Sequence, residues 1–183
     1  MSNIKKNILY QVVYRILTVI TPLITSPIIS RAFGAEGLGV YSATQAYANY
    51  FMLFAMLGVE YYGQRTIAAA NSIEKKQTLF WEIFTVHAIA SCISLGAYFG
   101  SVFLFGHERL QIMLVQGLWV VSCLLDINWF FFGIENFKIT VTRNFLVKIV
   151  TVLSIVVFIR EPEDLVLYAF IMAGGTAISQ LLL

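Results

Sequence analysis

Charge is what this chain has least of. Only 12% of its 183 residues are Asp, Glu, Lys or Arg, against 59% hydrophobic residues and a mean hydropathy of +0.81. Soluble domains carry about 25% charged residues, so that class is excluded. Cysteine is nearly absent: Cys92 and Cys123 sit in apolar runs, with no CxxC spacing and no neighbouring histidine. They read as small packing residues, which argues against a disulfide or a metal site. There is no nucleic-acid-type basic run and no low-complexity stretch, so no nucleic-acid partner is expected. Long polar connections are missing as well, which leaves no place for the aqueous domain or catalytic loop of a membrane glycosyltransferase or polymerase. Neither catalytic residues nor a cofactor are expected. Gly37 and Gly39 form a G-x-G, but it follows an apolar helix rather than a strand, so no dinucleotide site is supported.

What the chain has is apolar length. A crossing needs about 20 mainly apolar residues, and the sequence offers six such stretches, near 7–31, 37–66, 79–105, 110–132, 143–160 and 165–183. The expected fold is all-α and integral to the membrane, with about six transmembrane helices. Lys5 and Lys6 before the first stretch imitate a signal peptide, but the run is longer than a typical h-region and Arg15 interrupts it. It reads as a retained first span. The connections on the N-terminal side hold Lys5, Lys6, Arg65, Lys75, Lys76, Lys138, Arg143 and Lys148, and the opposite side holds Arg31, Arg109 and Arg160. The positive-inside rule then puts the N-terminus in the cytoplasm. The last stretch stops on Leu181, Leu182 and Leu183 without a polar flank, which leads us to expect a partial chain.

The first two spans carry the most polar detail. Gln11, Arg15, Thr18, Pro22 and Thr25 follow at steps of three and four, so on a helix they share one face. Ile8, Val12, Ile16, Val19 and Leu23 lie largely elsewhere. A lipid-crossing helix with one wet stripe and two prolines, Pro22 and Pro27, reads as a mobile wall of an aqueous cavity, because an intramembrane cation faces the bundle interior or water. In the second span Gln45, Asn49 and Glu60 fall in about one stripe, and the turn Phe33–Leu38 joins the two spans. The plainer reading is that such polar groups bond neighbouring helices.

Further along, His87, Ser91, Ser94 and Tyr98 make another three-four stripe, and Gly96 and Gly100 form a G-x-x-x-G suited to close helix packing. His87 is either a hydrogen-bonded interior histidine or a proton carrier. Trp129 and the phenylalanines beside it suit a membrane interface. Arg143 and Lys148, at the start of the fifth span, are placed to snorkel to headgroups. Asp126 reads either as a coupling acid or as a structural partner of Arg143 or Lys148, and Glu60 carries the same ambiguity.

The blocks PLITSPIISRAFGAEGLGVYS (22–42) and DINWFFFGIENFKITVTRNFLVKI (126–149), with a looser LGVEYYGQRTIA (57–68), resemble the Wzx-type oligosaccharide flippases of the multidrug/oligosaccharidyl-lipid/polysaccharide exporter superfamily. Members have twelve or more helices in two lobes, so the resemblance implies the N-terminal lobe of a two-lobe transporter. It implies export of polyprenyl-pyrophosphate-linked oligosaccharide across the bacterial cytoplasmic membrane for surface polysaccharide such as capsule or O-antigen. The partners implied are that lipid-linked substrate, the bilayer, and a second lobe or other assembly proteins. Arginine suits a diphosphate because its planar fork binds bidentately. Arg15 is accordingly the leading diphosphate ligand, with Arg31, Arg65 and Arg143 as gate or access residues, or as interface anchors. Gln11, Thr18, Gln45 and Asn49 are candidate sugar contacts, together with Tyr10, Tyr14, Tyr47 and Tyr50, and Asp126 and Glu60 are candidate coupling acids. Two rival readings are a multidrug antiporter of the same superfamily, disfavoured because 7–30 holds no Asp or Glu, and a non-transporting membrane fragment.

Overall fold

A computed structural model describes the backbone of residues 2–182, with side chains except at 2–11, 13–15, 17 and 107. Gln11 and Arg15, with Tyr10 and Tyr14, therefore lie outside the described side chains. The described chain is helical: α1 (Ser2–Met56), α2 (Val59–Ala69), α3 (Ile73–Phe105), α4 (Leu110–Leu124), α5 (Asn128–Gly133), α6 (Phe137–Phe158) and α7 (Leu165–Leu181), with 3-10 turns at His107–Arg109 and Pro162–Asp164. Among the described residues four segments are long and apolar enough to cross a bilayer: Ile73–Phe105, Leu110–Gly133, Phe137–Phe158 and Pro162–Leu181. Large apolar side chains cover their outer faces, among them Val86, Ile89, Ile93, Val150, Leu153, Phe170 and Ile178. In water such a surface would aggregate; in a bilayer it faces hydrocarbon. The protein is an all-α membrane protein.

α1 contains a sharp kink. Its helix runs through Pro22 and Pro27 and turns at Gly34, where φ is 59° and ψ is −168°, a conformation open essentially to glycine alone. Two arms result, 2–33 and 35–56, each exceeding the ~20 residues of a crossing. They overlap the stretches 7–31 and 37–66 in position. The turn is narrower than the expected 33–38, since Gly37 and Gly39 already sit in the second arm. That arm ends at Met56, and Leu57 (φ 44°) and Gly58 (φ 72°) separate it from α2. The expected 37–66 helix is therefore divided, and Glu60 belongs to a different helix from Gln45 and Asn49.

Three clusters set the bundle's order. At one end Phe33, Tyr41, Ile112, Ile155, Ile159 and Tyr168 pack together, joining the α1 kink to the start of α4, the end of α6 and the start of α7. In the middle Ala48, Tyr98, Val102 and Val120 meet. At the other end Val59, Ile67, Ile83 and Trp129 join α2, α3 and α5. Successive helices thus run up and down, and α4, touching α1, α3 and α7, is central. Ser72 starts α3 by accepting from the Lys75 amide at 3.2 Å. Asp164 closes the turn into α7 by accepting from the Arg160 and Glu161 amides at 2.9 and 3.0 Å.

The structure decides between the readings of one stripe and revises three other expectations. The α3 stripe is wholly buried, and each member bonds a main-chain carbonyl of another helix. His87 Nε2 meets Cys123 O at 2.7 Å, Ser91 Oγ donates to Ala55 O at 3.3 Å and Ser94 Oγ to Phe51 O at 2.6 Å. Tyr98 donates to Met113 O. The stripe fastens α3 to α1 and α4, as polar groups between membrane helices do. Gly96 and Gly100 meet nothing within 4 Å of an added Cβ, so their motif serves no packing among the described residues. Trp129, expected at the interface, is 1% exposed, because Gly63 of α2 lets the ring seat against the helix backbone. The expected helix over 110–132 breaks at 125–127 into α4 and α5.

Candidate functional site

The break between α4 and α5 sits inside an apolar segment, where freed backbone groups need partners. The break supplies them locally. Asp126 Oδ1 accepts from the backbone N–H of Asn128 at 2.8 Å, an Asx turn that starts α5. The Asp126 backbone N–H donates to Cys123 O at 3.1 Å, the same carbonyl that His87 reaches from α3.

Asn128 is the hub of what gathers there. Its Nδ2 donates to Asp126 Oδ1 at 2.8 Å and to Gln180 Oε1 at 3.1 Å, and its Oδ1 accepts from Arg143 Nη2 at 2.9 Å. Asn144 Oδ1 accepts from Arg143 Nη2 at 2.7 Å, from Arg143 Nε at 3.2 Å and from Ser179 Oγ at 3.1 Å. Arg143 is 7% exposed, and a cation so buried needs hydrogen-bond acceptors of this kind. α6 begins at Phe137, so Arg143 lies well inside the helix rather than at its mouth. The expectation that Arg143 and Lys148 snorkel at a helix start is corrected on this point. The alternative pairing of Asp126 with Arg143 takes a relayed form, through the Asn128 amide.

Beside this network lies a cavity of about 630 Å3. The first arm of α1 contributes Thr21, Pro22, Thr25, Ser26 and Ile29, and α4 and α5 contribute Trp119 and Asn128. Asn144, Val147, Lys148, Thr151 and Ile155 come from α6, and Tyr168, Met172, Gly175, Thr176, Ser179 and Gln180 from α7. The volume is that of a pocket for a drug-sized or larger ligand. Hydroxyls and amides recur along it, Lys148 is the one cation among its described lining residues, and apolar side chains fill the intervals. Such a lining can hydrogen-bond a polyol and offer charge to an anion while still accepting apolar surface.

Of the residues singled out from sequence, Thr25 is buried in this wall and Pro22 lines it. Thr18 is exposed, about one turn before Thr21 and Pro22. Gln45 is half-buried and Asn49 exposed; neither is among the described lining residues, so the cavity lies between the first arm, α6 and α7 rather than between the two arms. Arg31 and Glu60 are exposed, and Arg65 is exposed on a separate groove. Gln11 and Arg15 lie outside the described side chains. Sequence reasoning missed Asn128, Asn144, Lys148, Thr176, Ser179 and Gln180 as one site. Ser179 and Gln180 with Thr176 are at helical spacing on α7, a weak signal that a stripe search there would have caught.

Comparison with known proteins adds the following. The profile of the family described as polysaccharide biosynthesis protein matches residues 4–183. A relative named "Putative O-antigen transporter" from Escherichia coli (strain K12) is 23% identical over 181 residues, covering 97% of this chain and 43% of the relative. One of the same name from Shigella dysenteriae is 23% identical over 177 residues, covering 96% of this chain and 44% of the relative. The chain spans less than half the length of the curated relatives it matches. No solved structure gives a significant match.

Proposed function

The chain belongs to the polysaccharide biosynthesis protein family, and on that premise we propose that it forms one lobe of a flippase moving polyprenyl-pyrophosphate-linked oligosaccharide across the bacterial cytoplasmic membrane. The observation that carries this reading is the 630 Å3 cavity, lined with hydroxyls, amides and a lysine inside a bundle whose outer surface is apolar. Sugars need hydrogen-bonding side chains, a diphosphate needs cations, and the polyprenyl tail needs to stay in lipid. Thr21, Thr25, Ser26, Asn128, Thr176 and Gln180 would meet sugar hydroxyls. Lys148 would meet phosphate from α6, and Arg15 from the same arm of α1 that lines the cavity. Arg143, held by two asparagine amides, would set the field at one end of the site.

The transport step in this reading is alternating access, with the lobe rocking against a second lobe around the cavity. The two arms of α1 add to the four apolar spans to make six crossings. The break at 125–127 is the discontinuous-helix device that transporters use near their sites, and Asp126 within it is the coupling acid. Orientation follows from loop charge. With Arg143 and Lys148 removed from the count as interior residues, six cations remain on the N-terminal side against three opposite, and the N-terminus is cytoplasmic.

The test uses the full-length protein in cells lacking their own flippase. Lys148→Gln and Arg15→Ala are each expected to abolish surface polysaccharide, to raise lipid-linked repeat units in the membrane, and to leave the protein's membrane level unchanged. Full surface polysaccharide in Lys148→Gln would detach the cavity from transport, and the same result in Arg15→Ala would remove Arg15 from the mechanism. A drug-susceptibility change without a polysaccharide change would favour the multidrug-antiporter reading.

A further inference from the structure

At the end of the bundle closed by the Trp129 cluster, α2 and the first turns of α3 form a second groove, of about 460 Å3. Arg65 and Lys75 line it together with Tyr62 and Thr66, Ala69, Ala70 and Leu79 complete the lining, and no carboxylate is among its described lining residues. Both cations are exposed. Lys75 lies in the first turn of α3, a helix long and apolar enough to cross the bilayer, so the groove opens where hydrocarbon gives way to headgroups. Exposed aromatic side chains flank the groove on the same two helices: Tyr61, Tyr62 and Trp81 are 79%, 64% and 62% exposed, as rings at a membrane interface are.

Two fixed cations over an apolar lining suit a ligand with an anionic head and an apolar tail. The guanidinium of Arg65 offers a bidentate fork to phosphate and Lys75 a point charge. A zwitterionic headgroup would bring a cation of its own against this pair; a singly anionic one would not. We infer that this groove binds the phosphate of an anionic phospholipid, such as phosphatidylglycerol, and so fastens the α2–α3 corner to the membrane interface. The groove shares no described lining residue with the cavity beside Asn128.

The test is lipid retention by the full-length protein, reconstituted in nanodiscs of phosphatidylcholine with a minor fraction of phosphatidylglycerol, then re-extracted and analysed by mass spectrometry. Wild type is expected to retain phosphatidylglycerol above its share of the disc. Arg65→Gln/Lys75→Gln is expected to lower that enrichment by on the order of fivefold per cation removed. Both side chains are exposed, so the double variant folds, which its melting curve checks. Lys76→Gln/Lys138→Gln removes the same net charge outside the groove and is expected to keep the enrichment. Absence of enrichment in wild type, an unchanged Arg65→Gln/Lys75→Gln, or an equal loss in the control variant would each overturn the site. Transport is not read in this assay, so its failure is separable from failure of the flippase reading.

Discussion

Gly63 and the pair Gly96 and Gly100 predict opposite signs for one substitution. An alanine Cβ at Gly63 falls 2.5 Å from Trp129 Cε3, 2.8 Å from Cδ2 and 3.2 Å from Cζ3. Carbon atoms settle about 3.5–4.0 Å apart, so the ring must retreat by roughly an ångström. It has nowhere to go: it stacks on Phe80 with centroids 5.5 Å apart and planes at 23°, and packs edge-on to Phe130 at 6.2 Å. Overpacking of this kind costs about 1–3 kcal/mol, and alanine's better helix propensity returns about 1 kcal/mol. With the clash at the top of its range, Gly63→Ala loses about 2 kcal/mol. That lowers Tm by roughly 4–8 °C in a protein of this size. Gly96→Ala and Gly100→Ala meet no atom within 4 Å, so each is expected to gain up to about 1 kcal/mol and raise Tm by a few degrees. Thermal unfolding of the protein in detergent, followed by size-exclusion of the surviving fraction, reads all three. A double-mutant cycle with Trp129→Phe is expected to show favourable coupling with Gly63→Ala. A Gly63→Ala protein melting at or above wild type, or a strictly additive cycle, would refute the proposed seating of Trp129.

Asn128→Ala removes one of the two amide acceptors of Arg143 and the side-chain donor to Asp126 and Gln180, and hydrogen bonds to charged groups are worth about 1.5–3 kcal/mol; a loss of about 3 kcal/mol is expected by the same melting assay, and an unchanged Tm would show the hub to be idle. Arg143→Met leaves Asn128 and Asn144 without their shared donor but removes a buried charge, so its stability change is expected to be smaller than that of Asn128→Ala; the reverse order would contradict the relay. His87→Gln can still bond the Cys123 carbonyl and is expected to preserve surface polysaccharide at every pH supporting growth. His87→Leu leaves that buried carbonyl short of a donor and is expected to lose about 1–3 kcal/mol. Loss of transport in a stable His87→Gln would make the histidine a proton carrier after all.

The membrane class of this chain and its all-helical character were legible in the residues, because the cost of exposing polar groups to hydrocarbon is written into local composition. The stripe of His87, Ser91, Ser94 and Tyr98 was legible as well, since helical periodicity alone places four polar side chains on one face. What that face meets was not. Lipid tails and neighbouring helices are equally apolar, so hydropathy does not tell an outward side chain such as Val150 from an inward one such as Val120, and Trp129 reads as interfacial until Gly63 is seen to admit it. The break at 125–127 escaped for a related reason: its neighbours are strongly apolar, and Asp126 stabilises it through a turn that the hydropathy pattern does not register. The cavity and its network were decided by tertiary structure alone. Asn128, Arg143, Asn144 and Gln180 lie on three different helices, and a hydrogen bond between distant segments depends on how those helices pack, which no single segment encodes.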